Sequence, residues 1–551
     1  MRIFNKNIIC AALLSSLFVA CYEDKGNYTY DESISDISVK LNNTYGVRKG
    51  DTEMHYTITP EIKTNDGDKS YLKYTWVMNT TGPNSTYRDT ISHDESVTLD
   101  MDPTSSKFSY KYYLKLYVTD TRTNAETVMP TTLEVTKPYS KAWMVLYEKD
   151  DHAALGAVEY VGSDMDVTLD AYNRESGKEL SGKPVCLSFV QHEVTNSYFA
   201  YNADSQFLLT TTNPDESGLM DQGNKFKLMA TWKSLFSPQQ IDQVDLNNFQ
   251  TDECSNSGLL LCSKGHMFQQ CYYSPFFYQM FPTNNLTGEY NISKFAAGPH
   301  TAVAFDKAGH RFVHLALQSA SNDWMGYTPS GIHNAAPIER IPYKNGLDAR
   351  DPNHISEDEN VIKFVNGYHY EKNGVAIWQR YSCYAYALAP GNMSHVYVFR
   401  YYALTHNDVA IMPYVYEFPT PEGLNENTPM TSGATYNNII FYAAGNKVYK
   451  LDVTTGSASV IYQNDDTQAT ISCLKMAMNG YGWSDSSDDL GSDTYGHPYS
   501  RLLGVAVNKS DGTGELVVLQ LNTAGKVDDN HKFPSTQIHR GFGKIKDIAF
   551  I

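Results

Sequence analysis

WMVLYEKDDHAALGAVEY, residues 143–160, decides the architecture of most of this chain. An apolar run, WMVLY, meets the polar turn EKDDH, and a second run, AALGAVEY, follows. Each run has the length of one strand, and the polar break between them reads as a turn, so the unit is a hairpin. It returns in LLLCSKGHMFQQ (259–270), AVAFDKAGHRFVHL (302–315), IIFYAAGNKVYKLD (439–452) and LLGVAVNKSDGTGELVVLQL (502–521). Three of these turns centre on Lys264-Gly265, Ala308-Gly309 and Gly445-Asn446, where glycine supplies the positive φ of tight hairpins. Helical period is almost absent, and Ser237–Phe249 is the stretch expected to form a helix. A sheet unit repeated through residues 138–551 predicts a β-propeller, and roughly 45–60 residues per blade gives seven or eight blades. GKIKDIAFI (543–551) reads as a last strand that closes the ring beside Trp143. Two sandwiches in series is the alternative packing of the same strands.

Residues 34–137 carry a different pattern, short and alternating. Tyr56, Ile58 and Ile62 belong to one run, and Tyr74, Trp76 and Met78 alternate in another. In YYLKLYVTDTRTNAETVMPTTLEV (112–135), Tyr113, Lys115 and Tyr117 fall on one face of a strand and Leu114, Leu116 and Val118 on the other. Six or seven such strands in about 100 residues predict an Ig-like β-sandwich, and Lys137-Pro138 marks its end. Trp76 on a middle strand and the Val118-Thr119-Asp120 close of the penultimate one resemble the PKD fold. The fold class expected is therefore all-β, an N-terminal Ig/PKD-like sandwich followed by a β-propeller.

The first 20 residues read as a secretory signal. Arg2 and Lys6 precede an uncharged apolar stretch of 13 residues, Ile8 to Ala20. That length suits a signal core and falls short of the ~20 residues that span a bilayer. Leu17 and Ala20 before Cys21 resemble the lipobox of bacterial lipoproteins, and residues 21–33 read as a polar tether. Tyr22-Glu23-Asp24-Lys25-Gly26-Asn27-Tyr28 resembles the start of many Bacteroidetes lipoproteins, in which acidic residues beside the cysteine direct export to the outer face of the outer membrane. With these features the chain resembles the PKD-like lipoproteins, often encoded beside SusC/SusD-type importers. The resemblance implies acyl chains such as palmitate on Cys21, anchorage in the outer membrane facing outward, and a SusC/SusD-like TonB-dependent transporter complex as partner. It also implies an oligomeric nutrient, peptide or oligosaccharide, as ligand.

Charge narrows the partners. The chain carries 44 Lys+Arg against 62 Asp+Glu, a net −18 that becomes −20 once Arg2 and Lys6 leave with the signal. Such a surface repels phosphate backbones, which excludes nucleic-acid binding as a main role. It also leans the ligand toward neutral or cationic groups. Of eight cysteines, Cys10 leaves with the signal and Cys21 is acylated; the remaining six, Cys186, Cys254, Cys262, Cys271, Cys383 and Cys473, are too scattered for a disulfide framework. In a hairpin turning at Lys264-Gly265, Cys262 faces Met267 and not Cys271, so buried thiols are expected.

No zinc-peptidase, serine-hydrolase or phosphate-loop motif is present, and neither a catalytic residue nor a cofactor is assigned. Asp485, Asp488, Asp489 and Asp493 share one loop without the order of a calcium site, and His300, His310 and His314 cluster without further ligands, so no metal is assigned. Two polar, Gly-rich loops carry the candidate binding residues: Trp324 and Tyr327 in SNDWMGYTPSGIHN (321–334), and Trp483, Tyr495 and Tyr499 in GWSDSSDDLGSDTYGHPYS (482–500). Aromatic faces in such loops can stack on sugar rings or peptide side chains. The tyrosine runs 271–281 and 368–388 read instead as buried strands. Besides nutrient capture, two readings stay open. One is a surface hydrolase or lyase with the propeller as catalytic domain, and the other is an adhesive surface protein.

Overall fold

The structure, a computed structural model, describes residues 37–551 except 51, 87, 162–163, 191–205, 255–257, 271–275, 285, 298–301, 316–336, 373–374, 403–409, 434, 478–500 and 530–532. The chain divides into two compact units, Met1–Tyr45 with Gly50–Glu134, and Gly46–Lys49 with Val135–Ile551.

The first is an Ig-like sandwich. One sheet holds Asp89–Ser92, Leu72–Asn79, Lys111–Asp120, Glu126–Thr136 and Thr44–Arg48 in that order; Met54–Ile58 pairs with Val97–Met101, and Ser38–Lys40 with Glu61–Lys63. Lys111–Asp120 alternates as its sequence predicts, with Leu114, Leu116 and Val118 buried and the residues between them half-exposed. Trp76 is fully buried and donates its indole N–H to the carbonyl of Glu95. Buried Asp120 accepts from the backbone N–H of Arg122 at 2.8 Å and from its guanidinium at 2.9 Å, and the guanidinium lies 3.3 Å over the Tyr71 ring.

Among the described residues the second unit is a ring of seven four-stranded antiparallel meanders. Blade 1 is Lys544–Phe550, Ala142–Lys149, His152–Val161 and Asp164–Thr168, so the C-terminal strand completes the sheet that opens the unit. Blade 2 is Pro184–Val190, Gln206–Thr211, Gly218–Asp221 and Lys227–Thr231; blade 3 is Gln250–Cys254, Gly258–Ser263, His266–Gln270 and Phe277–Gln279. Blade 4 is Ile292–Ala297, Ala302–Asp306, Arg311–Leu315 and Ile338–Arg340; blade 5 is Asn360–Lys372, Val375–Ala389, Met393–Tyr402 and Ile411–Pro419. Blade 6 is Met430–Thr431, Ile439–Ala444, Lys447–Asp452 and Ser457–Gln463, and blade 7 is Thr470–Met476, Leu502–Asn508, Gly514–Gln520 and Thr536–Phe542.

Seven cores lie between successive blades. Leu155 meets Phe207 between blades 1 and 2, Leu219 meets Leu261 between 2 and 3, and Leu260 meets Phe295 between 3 and 4. Phe312 packs with Phe399, Tyr386 with Tyr442, and Phe441 with Leu519 across the next three interfaces. The last core, Trp143 and Val145 with Leu516 and Val518, joins blade 7 back to blade 1 and closes the ring. Consecutive residues such as Leu260 and Leu261 therefore serve opposite neighbours. Sheets covered on both faces need apolar side chains at every position, which is why these strands read as continuous runs and not as alternation.

The closing pair runs antiparallel, with Trp143 opposite Phe550 and Val145 opposite Ile548, as GKIKDIAFI predicts. Cys262 stands opposite Met267, across a turn in which Lys264 and Gly265 take φ of 46° and 84°. The stretch Ser237–Phe249 differs from expectation. It forms only a single 3-10 turn, Ile241–Gln243, because Pro238 and the Asp245–Asn248 run favour turns over a continuing helix. The described α-helix is Ala171–Ser176, capped by the Asp170 side chain and by Gly177 at φ 68°.

Candidate functional site

The first strand of each blade neighbours the first strand of the next, all the way round, so these seven strands form the inner wall of the ring. Five of them carry a bulge. The extra residues are Val185, Ser293, Ile362, Ser472 and Lys546, and each leaves the next residue one step out of the flat ladder. Those next residues are Cys186, Lys294, Lys363, Cys473 and Asp547. A bulge bends its strand and re-aims the side chain beside it. Repeated here, it sets two amines, two thiols and a carboxylate on the innermost strands.

Their bonds run from blade to blade. Asp547 accepts from the Lys475 ammonium at 2.7 Å, from the backbone N–H of Leu187 at 2.8 Å and from the Cys473 thiol at 3.3 Å, so one carboxylate joins blades 7, 1 and 2. Lys475 also donates to the carbonyl of Leu187 at 3.0 Å. Ser472, a bulge residue, donates to the carbonyl of Ile545 at 2.8 Å. Thr251 donates to Ser188 at 2.9 Å, and the Cys186 sulfur lies 3.9 Å from the Thr251 hydroxyl. Asp252 accepts from the backbone N–H of Ala297 at 2.8 Å and from the Asn366 amide at 3.3 Å, linking blades 3, 4 and 5.

Burial, and next the nearby Asp547 carboxylate, push the thiols of Cys186 and Cys473 up to about 12, so both are protonated at neutral pH and poor nucleophiles. The Lys475 ammonium is held in its charged form against burial chiefly by Asp547. Lys363 moves the other way. Burial lowers its pKa first, Lys294 and Lys475 lower it further, and Cys473 and Asp252 act against them.

A second feature is a cleft of about 570 Å³ between blades 4 and 5, lined among others by His310, Arg350, Glu357, Glu359 and Tyr397. Its volume is that of a small-molecule pocket. Buried Glu359 accepts from the Tyr397 hydroxyl and faces His395 at 3.1 Å and Arg350 at 3.9 Å. That acid is thus committed to its own wall.

Cys21, Trp324, Tyr327, Trp483, Tyr495 and Tyr499 all lie outside the described residues, as do the aspartates of 482–500 and His300. Among the described residues, Cys186, Cys262 and Cys473 are free thiols, and no group of three His, Cys, Asp or Glu is placed to hold a metal. No described helix is long and apolar enough to cross a membrane. The inner-wall residues were missed as site candidates. Their signal is a short recurring pattern, an ionisable residue or cysteine breaking an apolar first strand: Val-Cys-Leu (185–187), Ser-Lys-Phe (293–295), Ile-Lys-Phe (362–364), Ser-Cys-Leu (472–474) and Lys-Asp-Ile (546–548).

The class is thus an all-β protein joining an Ig-like sandwich to a seven-bladed β-propeller. More particularly, residues 21–184 match the PKD-like family, so the chain carries a PKD-like domain. That match spans the sandwich and the three strands of blade 1 that follow it. No curated protein matches the chain. Among solved structures it is similar to a quinonprotein alcohol dehydrogenase-like protein from Bacteroides thetaiotaomicron, at 12% identity over 93% of this chain and 97% of that one, with a TM-score of 0.36. A Synechocystis apocarotenoid oxygenase mutant is 11% identical over 73% of this chain and 93% of its own, TM-score 0.31. The fission yeast SREBP–SCAP binding domains are 10% identical over 67% and 89%, TM-score 0.31. At these scores the fold rests on the sheets and the cores between them.

Proposed function

We propose that this is a lipid-anchored protein on the outward face of the outer membrane that captures an oligomeric nutrient, peptide or oligosaccharide, for a SusC/SusD-like TonB-dependent importer. The observation that carries the reading is the match of residues 21–184 to the PKD-like family, which starts at the cysteine following the apolar leader. In this reading Cys21 bears the lipid, the sandwich acts as a spacer and the propeller takes the ligand. Binding is favoured over catalysis by the inner wall, where the thiols are protonated and Asp547 is tied to Lys475 and to backbone. Trp324, Tyr327, Trp483, Tyr495 and Tyr499 are proposed as ligand-stacking residues. A hydrolase or lyase would draw on the cleft that holds Glu357 and Glu359, and turnover of a polysaccharide or peptide would favour it.

The test is purification of the tagged full-length protein from detergent-solubilised outer membranes, with mass spectrometry of what accompanies it. A stoichiometric SusC/SusD-like pair is expected, together with an acylated Cys21. Recovery of the protein alone from membranes rich in such transporters would overturn the reading.

A further inference from the structure

Lys294 and Lys363 are the odd members of the inner wall. Both follow a bulge, on the adjacent first strands of blades 4 and 5, and both are half-buried. Neither side-chain ammonium makes a hydrogen bond or an ion pair with any described residue, in a chain with 62 carboxylates to offer. Lys475, the third amine of the wall, is paired with Asp547 at 2.7 Å. The carboxylate that reaches Lys363 is Asp252, and that group is engaged by Ala297 and Asn366. A cation drawn from bulk water with only a shared, distant carboxylate to answer it is costly. Two of them side by side, each aimed by its own bulge, form a prepared place for negative charge.

We propose that Lys294 and Lys363 hold an anionic oxygen group of the ligand, a carboxylate or sulfate, on the inner wall between blades 4 and 5. The overall acidity of the chain leans toward neutral or cationic ligands, and this local pair reverses that lean for one group of the cargo. An acidic sugar or the terminal carboxylate of a peptide carries such a group. The proposal rests on the capture reading only in that the propeller takes a ligand; importer association is not involved.

The groups that face Lys363 are Lys294 from blade 4, Lys475 and Cys473 from blade 7 and Asp252 from blade 3. The two other amines and burial favour its neutral form, and a bound anion favours its charged form, so binding and proton uptake are linked.

The experiment is calorimetric titration of the purified full-length protein with glucuronate, with inorganic sulfate and with glucose, at fixed ionic strength. Saturable binding of one anion per chain is expected, and none of glucose. Lys363→Met and Lys294→Met should each weaken it about tenfold, the scale of one charge-assisted contact. Lys546→Ala, an exposed lysine on the inner strand of blade 1, should leave it unchanged. Glucuronate binding without sulfate binding supports a carboxylate-shaped site, and binding of both supports a general oxyanion site. A readout that needs no variant is amine acylation followed by peptide mass spectrometry, in which the anion should protect Lys363 and not Lys546. Absence of saturable heat with both anions, equal weakening by Lys546→Ala, or unprotected Lys363 would each overturn the proposal. None of these outcomes bears on co-purification with a transporter, so the two readings fail separately.

Discussion

The backbone N–H of Leu187 donates to the Asp547 carboxylate at 2.8 Å across 360 residues of sequence. Leu187 lies on the inner strand of blade 2, and Asp547 on the C-terminal strand that completes blade 1. The same carboxylate takes the Lys475 ammonium and the Cys473 thiol from blade 7. The point at which the ring closes is therefore a polar knot set inside an apolar one.

Asp547→Leu should be strongly destabilising. It leaves Lys475 without its counterion and the Leu187 N–H without its acceptor, a loss of about 2–4 kcal/mol. Asp547→Asn keeps an acceptor and should lose less. Adding Lys475→Met to Asp547→Leu should restore part of the loss, because it removes the stranded charge. Denaturant midpoints of the four proteins measure this, and an Asp547→Leu midpoint equal to wild type would refute the knot.

Gly504 fills a different need. A Cβ at this position would stand 2.5 Å from the Trp143 ring and 2.9 Å from Ile548, in the core between blades 7 and 1. Trp143 is fully buried and packs edge-on against Phe550 at 5.3 Å, so the indole has little room to move. Gly504→Ala should destabilise by roughly 1–3 kcal/mol through overpacking. Gly512→Ala is a poor control, because φ there is 87°. Lys544→Ala, exposed on the closing strand, serves better. Thermal midpoints that fall equally for Gly504→Ala and Lys544→Ala would argue against the tight fit.

The ring was legible because its signal is local: in five blades the second and third strands are an apolar run around a polar turn, as in residues 302–315 and 439–452. The inner strands were harder. Met430–Thr431 has only two residues, and Ile292–Ala297 is broken by Lys294, so neither announces a strand by periodicity. Blade count and closure depend on pairing between distant residues, such as Trp143 with Phe550, and the terminal run IKDIAF gave that pairing away by its composition. The inner-wall site was not legible. Lys363 looks like any exposed lysine until the bulge at Ile362 and the neighbouring strands are known. Aromatic loop residues stood out in the sequence because rings in polar loops are conspicuous, whereas a lysine in an acidic chain is not.

Deletion of residues 543–551 should abolish the cooperative unfolding of the second unit. The strand it removes buries Ile545 and Ile548 in the core between blades 7 and 1 and Ala549 and Ile551 in the core between blades 1 and 2. It also leaves the ladder edge of Ala142–Lys149 open, an edge that promotes aggregation. Limited proteolysis and a thermal scan of the truncated protein test this. A truncated protein that melts at the wild-type temperature would mean that the ring does not depend on its closing strand.

His314 sets an acid limit on the same unit. It sits on the third strand of blade 4, 4% exposed, and burial, with Lys344 next, lowers its pKa to about 4. The folded state therefore holds the ring neutral, while the unfolded chain takes up a proton near 6.5. A group with a depressed folded pKa gives stability that is complete above the unfolded value and is lost as pH falls toward the folded one. The loss should run from about pH 6.5 to 4 and reach about 3 kcal/mol, at about 1.4 kcal/mol per pH unit. His314→Gln keeps a polar side chain of similar reach and does not titrate, so its stability should change less over that window than that of wild type. Carboxylates titrate in the lower part of the same range in both proteins and cancel in the comparison. Urea midpoints measured at pH 7, 6, 5 and 4 for both proteins decide it: parallel curves would mean that His314 is not the acid-sensitive group.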